Sequence, residues 1–138
     1  MKRSIACIAY ENGKVLIAHR NPTGQMGGRW EFPGGKVEND ESDETAIIRE
    51  MSEEFGISVK VISKITTGSF IHNGAESLLE VYLIKVPHDG LSTKYALTEH
   101  TEYKWVNIND IPKDNIVDSD LSIYPEVVKF IDNISKEN

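Results

Sequence analysis

The sequence predicts a mixed α/β (α+β) fold, in which a mixed β-sheet lies between helices. Three features indicate it: runs rich in β-branched and aromatic residues, two segments with helical spacing of apolar residues, and turn-forming residues between the runs. A chain of 138 residues is long enough to bury a sizeable core. We therefore expect residues 1–138 to form a single domain in a layered sandwich.

The first predicted element is a β-hairpin. Ser4 to Tyr10, "SIACIAY", and Lys14 to Arg20, "KVLIAHR", are apolar runs on either side of Asn12-Gly13. An Asn-Gly step between two such runs is a strong signal for antiparallel strands. The next nine residues, Asn21 to Arg29, include one proline and three glycines, and they are predicted to form a loop.

A helix is predicted in the middle of the chain. Before it, "WEF" is a short extended piece that Pro33-Gly34-Gly35 breaks, and residues 36–41 are expected to be irregular. Ser42 is a suitable N-cap, and the acidic residues that follow favour the positive end of the helix dipole. Gly56 is a natural C-terminal stop. The helix should therefore extend from about residue 42 to residue 56.

The predicted helix has two distinct faces. At 100° per residue, one face is apolar and should contact the core: Ile47, Ile48, Met51 and Phe55. The other face groups three glutamates: Glu50, Glu53 and Glu54. Like charges at these spacings repel one another by a few tenths of a kcal/mol per pair, about 0.2–0.5. Such a cluster is either a solvated face or a site for a cation.

The second half of the chain adds three strands and a helix. Asn73-Gly74 supplies a turn between the first two strands. The expected strands are Val59 to Ile71, Leu78 to Val86 and Glu102 to Val106, and the expected helix is Tyr124 to Ile134 with Pro125 in its first turn.

Composition excludes several classes of protein. The net charge of −7 argues against a partner such as long nucleic acid, which favours basic surfaces. The single cysteine, Cys7, excludes an internal disulfide framework and is expected to be a buried core residue. No apolar stretch approaches the roughly 20 residues of a membrane span. We expect a cytoplasmic protein with no membrane partner.

The glutamate cluster predicts a site for a hard divalent cation. Carboxylate oxygens suit Mg²⁺ or Mn²⁺ rather than zinc. Gly34 and Gly35 allow the backbone to turn tightly and bring its carbonyl oxygens close to a ligand. Arg49 flanks the acidic face and could orient carboxylates.

The block from Gly35 to Ile57, "GKVENDESDETAIIREMSEEFGI", resembles the signature of the Nudix hydrolases. It matches the family pattern at all fixed positions: a glycine, Glu41 after five further residues, and the Arg49-Glu50 pair after seven more, followed by the last two glutamates and Gly56. The resemblance implies a Nudix-type α/β/α sandwich with a mixed sheet.

Outside this block, the chain resembles the MutT-like branch, which cleaves nucleoside triphosphates. "WEFPGGK", Trp30 to Lys36, is similar to the approach to the signature in that branch, and Arg20 stands where the branch has a substrate-contacting arginine. "EHTEYKWV", Glu99 to Val106, resembles an acidic loop before a short strand. "DSDLSI", Asp118 to Ile123, resembles the segment entering the last helix, which presents an Asp or Asn to the base.

The resemblance implies roles for ten residues. The metal would be held by the Gly34 carbonyl and by the carboxylates of Glu50, Glu53 and Glu54. Glu99 would be a further ligand or the general base, and Glu50 is the other candidate for the base. The remaining roles are orientation of carboxylates by Arg49, phosphate binding by Lys36, lining of the nucleotide pocket by Arg20 and Phe32, and recognition of the base edge by Asp120.

The implied activity is Mg²⁺-dependent hydrolysis of a nucleoside triphosphate to NMP and pyrophosphate, with Mn²⁺ as a possible substitute. Oxidised dGTP, CTP and modified dCTP are candidate substrates, since an aspartate does not by itself separate guanine from cytosine. Two alternatives stay open: a Nudix hydrolase of ADP-ribose, nucleotide sugars or dinucleoside polyphosphates, and a non-catalytic nucleotide-sensing domain. Either a monomer or a homodimer is expected.

Overall fold

The structure is a computed structural model, and it describes residues 2–23, 26–87, 97 and 100–136. Its elements follow the expected order. The strands are β1 (Lys2–Glu11), β2 (Lys14–Arg20), β3 (Trp30–Glu31), β4 (Gly34–Lys36), β5 (Lys60–His72), β6 (Ala75–Lys85) and β7 (His100–Asn107). The helices are α1 (Asp43–Phe55) and α2 (Asp118–Lys136), with a short 3₁₀ turn at Ile108–Asp110.

The strands form one mixed sheet in the order β3-β2-β1-β6-β5, with β4 also paired to β1 and β7 also paired to β2. The β1–β6 pair is parallel, and the other named pairs are antiparallel. Asn12 and Asn73 have positive φ angles of 50° and 52°, and Gly13 and Gly74 have 81° and 77°. Positive φ at both central residues is what a tight hairpin turn requires, so both predicted Asn-Gly turns are confirmed.

The two helices cover opposite faces of the sheet, and this confirms the α/β/α sandwich. Side chains alternate along a strand: Ala6 and Ile8 of β1 pack in one apolar cluster with α2, whereas Ile5 and Cys7 pack in a second cluster with α1. Cys7 is fully buried, as expected. Among the described residues, neither helix has the length and hydropathy needed to cross a lipid bilayer.

Helix α1 begins and ends as predicted. The side chain of Ser42 accepts a hydrogen bond from the backbone nitrogen of Thr45 at 3.1 Å, and Gly56 adopts the left-handed conformation with φ of 70°. One predicted core residue is wrong: Ile48 is 41% exposed. Ile48 lies at the outer edge of the apolar stripe, and Ala46 is buried instead.

Several element boundaries also differ from the predictions, such as the start of β6 at Ala75 instead of Leu78, and two of the differences concern the site. The Pro-Gly-Gly segment does not simply break the chain, because Gly34–Lys36 forms strand β4 against β1. Helix α2 begins at Asp118 instead of Tyr124, so Pro125 lies inside the helix and not in its first turn. Asp118 and Asp120 occupy that first turn, where the helix dipole favours acidic side chains.

Candidate active site

The glycines that precede α1 leave room for the side chain of Glu50. A Cβ atom on Gly35 would lie 2.5 Å from Cδ of Glu50, and a Cβ on Gly34 would collide with the carbonyl oxygen of Ile5. Strand β4 can therefore lie against both β1 and α1 only if these positions carry no side chain. The close approach also places the backbone of β4 directly beside the acidic face of the helix.

The three glutamates of α1 differ in their surroundings. Glu54 is buried, the Glu50 side chain is largely covered, and the Glu53 side chain is 61% exposed. Burial raises the pKa of Glu50, and hydrogen bonds from Arg49 and with Glu54 oppose this shift. Two carboxyl groups that share a hydrogen bond need a proton or another positive charge between them. The Glu50–Glu54 pair is thus a site that favours a cation.

Arg49 connects the loop before α1 with the glutamates. Its Nε donates to Glu41 Oε2 at 2.7 Å, and its Nη2 donates to Glu41 Oε1 at 3.0 Å and to the Lys36 carbonyl at 2.9 Å. Its Nη1 lies 2.9 Å from Glu50 Oε1 and 3.4 Å from Glu53 Oε2. The hydrogen bonds from Arg49 lower the pKa of Glu41 to about 2. Hydrogen bonding to Glu41 in turn raises the pKa of Arg49.

The oxygen atoms of this region are of the chemical type that binds a hard divalent cation. They are carboxylate and carbonyl oxygens, and the carboxylate of Glu50 occupies the place that a Cβ on Gly35 would fill. Within residues 2–23, 26–87, 97 and 100–136, no three His, Cys, Asp or Glu side chains are grouped closely enough to hold an ion as they stand. The guanidinium of Arg49 lies between Glu50 and Glu53 in this arrangement. Glu99 lies outside the described residues.

A cavity of about 550 Å³ contains the predicted site residues. All nine that the structure describes line it, from four separate parts of the chain: Arg20, Phe32, Gly34, Lys36, Arg49, Glu50, Glu53, Glu54 and Asp120. The apolar part of the lining includes Phe70, Leu79 and Val117. The lining of the cavity therefore combines acidic, basic and apolar side chains, which suits a ligand with both a charged and a flat apolar part.

Asp120 is buried in the wall of the cavity. Its Oδ2 accepts a hydrogen bond from the backbone nitrogen of Phe32 at 2.8 Å. Burial, reinforced by the negative charge of Glu31, raises the pKa of Asp120 to about 8. A carboxyl group with that pKa is mostly protonated at neutral pH, so Asp120 can both donate and accept a hydrogen bond.

Sequence reasoning missed two residues that organise the cavity. Glu31 accepts from Arg20 Nη1 at 3.1 Å, and its other oxygen lies 2.8 Å from His100 Nε2. His100 is buried and stacks on Phe55, with ring centroids 5.7 Å apart. The available signal was the place of Glu31 inside "WEFPGGK", between two aromatic residues.

Comparisons with known proteins identify the family of the chain. The family model described as NUDIX domain matches residues 1–127. The chain is 47% identical over 57 residues to the CTP pyrophosphohydrolase of Escherichia coli, which covers 41% of this chain and 42% of that protein. It is 45% identical over 60 residues to the 8-oxo-dGTP diphosphatase of Proteus vulgaris, with 44% and 54% covered. These matches span about half the length of the two relatives.

A solved structure extends the similarity over most of the fold. The solution structure of the ORF135 protein of E. coli superposes with a TM-score of 0.78 at 27% identity, over 94% of this chain and 90% of that one. The family match covers far more than half of the sequence, and it includes the whole block from residue 35 to residue 57. The chain belongs to the Nudix family.

Proposed function

We propose that this protein is a Mg²⁺-dependent hydrolase that converts a nucleoside triphosphate and water into NMP and pyrophosphate. Nudix hydrolases generally use a divalent metal and act on small nucleotides, and relatives of this chain are named for CTP and for 8-oxo-dGTP. The observation that carries the proposal is the common cavity of the glutamates, Arg20, Phe32, Lys36 and Asp120.

The glutamates of α1 and the Gly34 carbonyl are the proposed ligands. A cation held there would neutralise phosphate oxygens and activate a water molecule. Arg49 keeps Glu50 in place through its Nη1 hydrogen bond of 2.9 Å. Either Glu50 or Glu99 accepts the proton of the attacking water. The proposed cation site therefore lies on the acidic face of α1, beside Glu50.

The rest of the cavity would hold the nucleotide. Lys36, beside the acidic face, would bind phosphate oxygens, and the side chains of Arg20 and Phe32 would contact the nucleoside. Asp120 would meet the base edge, supported by its hydrogen bond to the backbone of Phe32. Protonated Asp120 could donate to a base nitrogen or oxygen, and ionised Asp120 could accept from an exocyclic amine. Oxidised dGTP, CTP and modified dCTP are therefore the first substrates to test.

A neighbouring groove favours a second candidate. It measures about 1120 Å³ and shares Ser4, Lys36, Glu38 and Phe70 with the site cavity. A substrate with a bulky group beyond the phosphates would extend into it. Hydrolysis of ADP-ribose, a nucleotide sugar or a dinucleoside polyphosphate is thus the alternative within the same chemistry.

The test is a screen for hydrolysis products, NMP and pyrophosphate among them, with Mg²⁺ present. It should cover normal and oxidised NTPs and dNTPs, ADP-ribose and diadenosine polyphosphates, with the products separated by chromatography. We expect one triphosphate to give NMP and pyrophosphate at the highest rate. Turnover of only ADP-ribose or dinucleotides would replace the substrate proposal by the second candidate.

A pair of variants separates an enzyme from a nucleotide sensor. Glu53→Gln should lower kcat by at least about 10²-fold and leave the fold intact, because the side chain is mostly exposed. Glu44→Gln makes the same chemical change at an exposed position of α1 and should keep full activity. A sensing domain would bind the nucleotide without turnover in the unsubstituted protein and in both variants.

A further inference from the structure

A polar network binds the first turn of α1 to the sheet. Asp43 Oδ1 accepts from Nη1 of Arg3 on β1 at 2.7 Å, and Asp43 Oδ2 accepts from the hydroxyl of Tyr82 on β6 at 2.7 Å. The Asp43 side chain is only 12% exposed. Both of its oxygens thus have a partner on a different strand. We call Arg3, Asp43 and Tyr82 the Asp43 network.

A second charged pair lies beside this network. Lys64 Nζ is 2.6 Å from Oε2 of the buried Glu80, and it lies 5.9 Å from the centre of the Tyr82 ring. Burial of Tyr82 and its hydrogen bond to Asp43 raise the pKa of the phenol to about 12. Tyr82 therefore remains a hydrogen-bond donor to Asp43 over the whole neutral range.

The network differs in kind from the other contacts of α1 with the sheet. The rest of the buried helix face is mainly apolar, with Ile47, Met51 and Phe55 in the core cluster. Apolar packing is non-directional, whereas two hydrogen bonds at 2.7 Å fix both a distance and an angle. Charged pairs that are removed from water add little net stability. The Asp43 network is therefore better suited to setting the position of α1 than to stabilising it.

The network also reaches the site through Arg3. Besides Asp43, Arg3 donates from Nη2 to the backbone carbonyl of Glu41 at 3.3 Å. The carboxylate of Glu41 holds Arg49, and Arg49 holds Glu50. None of Arg3, Asp43 and Tyr82 lines the site cavity. Asp43 and Tyr82 line neither this cavity nor the neighbouring groove, so any effect of these two residues on the chemistry must pass through the position of the helix and of Glu41.

We infer that the Asp43 network is a positioning device that sets the rotation and axial position of α1, and with them the spacing of Glu50, Glu53 and Glu54. This inference rests on the proposed function, because the spacing matters for a cation held by those side chains. A shift of about 1 Å in reacting groups can cost 10²-fold in rate. The proposed nucleotide contacts Arg20 on β2 and Asp120 on α2 have no hydrogen bond to Arg3, Asp43 or Tyr82 among those described.

Tyr82→Phe is the most conservative test, because it removes one hydroxyl and keeps the ring. Asp43→Asn is the stronger change, because the amide has only one oxygen and its NH₂ group cannot accept a hydrogen bond from the second partner. Affinity should be measured first without substrate, by titrating Mn²⁺ into the metal-free protein and following the loss of the free Mn²⁺ electron spin resonance signal. We expect Mn²⁺ affinity to fall about 10-fold in both variants.

Kinetics provide the second readout. At saturating metal, kcat should be lower in the variants that bind Mn²⁺ more weakly. KM for the nucleotide should change by less than about twofold, since the groups that hold the nucleoside do not move. Ser42→Ala is the matched control. It removes the N-cap hydrogen bond to Thr45 and destabilises the same turn of α1 without touching the Asp43 network, so it should lower the melting temperature and keep Mn²⁺ affinity.

The outcomes separate the inference from the proposed function. Equal Mn²⁺ affinity and kcat in the unsubstituted protein, Tyr82→Phe and Ser42→Ala would overturn the positioning role and leave the proposed function standing. A loss of affinity in Ser42→Ala as large as that in Tyr82→Phe would also overturn it, because any weakening of the turn would then suffice. Failure of the unsubstituted protein to bind Mn²⁺ would overturn both.

Discussion

The carboxylate of Glu41 and the guanidinium of Arg49 form a bidentate ion pair, with Nε 2.7 Å from Oε2 and Nη2 3.0 Å from Oε1. Glu41 belongs to the loop after β4, and Arg49 lies in the second turn of α1. The same guanidinium also reaches the Lys36 carbonyl and Glu50. The pair therefore joins the loop, the helix and one of the candidate metal ligands.

Breaking this ion pair should lower the activity strongly and the stability of the fold only slightly. Glu41→Gln keeps the size of the side chain but removes its charge, so Arg49 would no longer be held in one orientation beside Glu50. We expect kcat/KM to fall about 10- to 100-fold, measured by pyrophosphate release. Arg49→Lys should give a similar loss, because an ammonium group cannot form the fork of hydrogen bonds. Loss of activity in neither variant would contradict the orienting role.

A methyl group at position 35 should displace Glu50. The added Cβ of Gly35→Ala would lie 2.5 Å from both Cδ and Oε1 of that side chain, so the carboxylate must move away. We expect about a 10²-fold loss of kcat. Gly13→Ala is the control: its Cβ has open space around it but a φ of +81°, so it should cost about 1 kcal/mol in unfolding free energy and spare activity.

The buried carboxyl of Asp120 should make stability depend on pH. Its pKa is about 8 in the folded protein against an ordinary value of 3.8. Between these values the folded form binds more protons than the unfolded form, so the free energy of unfolding falls as pH rises. The slope is up to about 1.4 kcal/mol per pH unit.

Asp120→Asn should remove this part of the slope. The measurement is urea unfolding at several pH values between about 4 and 8, compared with the unsubstituted protein. Asp118→Asn, which alters an exposed carboxylate in the same turn of α2, is the control and should keep the slope. The same slope in all three proteins would mean that Asp120 is ionised in the folded state.

Binding of a cation at α1 should stabilise the fold independently of turnover. A ligand that binds only the folded form at 100 times its dissociation constant adds about 2.7 kcal/mol to the unfolding free energy. We therefore expect Mg²⁺ or Mn²⁺ to raise the melting temperature, and a chelator to reverse the change. The increase should be smaller in Glu53→Gln and unchanged in Glu44→Gln. An equal increase in both variants would place the cation elsewhere.

Local sequence signals predicted the parts of the fold that depend on neighbouring residues. The turns at Asn12-Gly13 and Asn73-Gly74 and both ends of α1 are where the sequence placed them, because backbone conformation and capping are decided within a few residues. The start of α2 was wrong. Its first turn carries polar residues whose helical state depends on contacts such as that between Asp120 and Phe32.

The sequence by itself determined the family, the layered fold and the set of residues around the acidic face, since these depend on residue types at fixed spacing. Only the tertiary structure decided that Gly34–Lys36 is a strand, that Glu31 lies between Arg20 and His100, and that burial raises the pKa of Asp120. Each of these depends on groups far apart in the chain. Pairing, burial and the local electric field are properties of the packed molecule, and the residue types of a short segment do not show them.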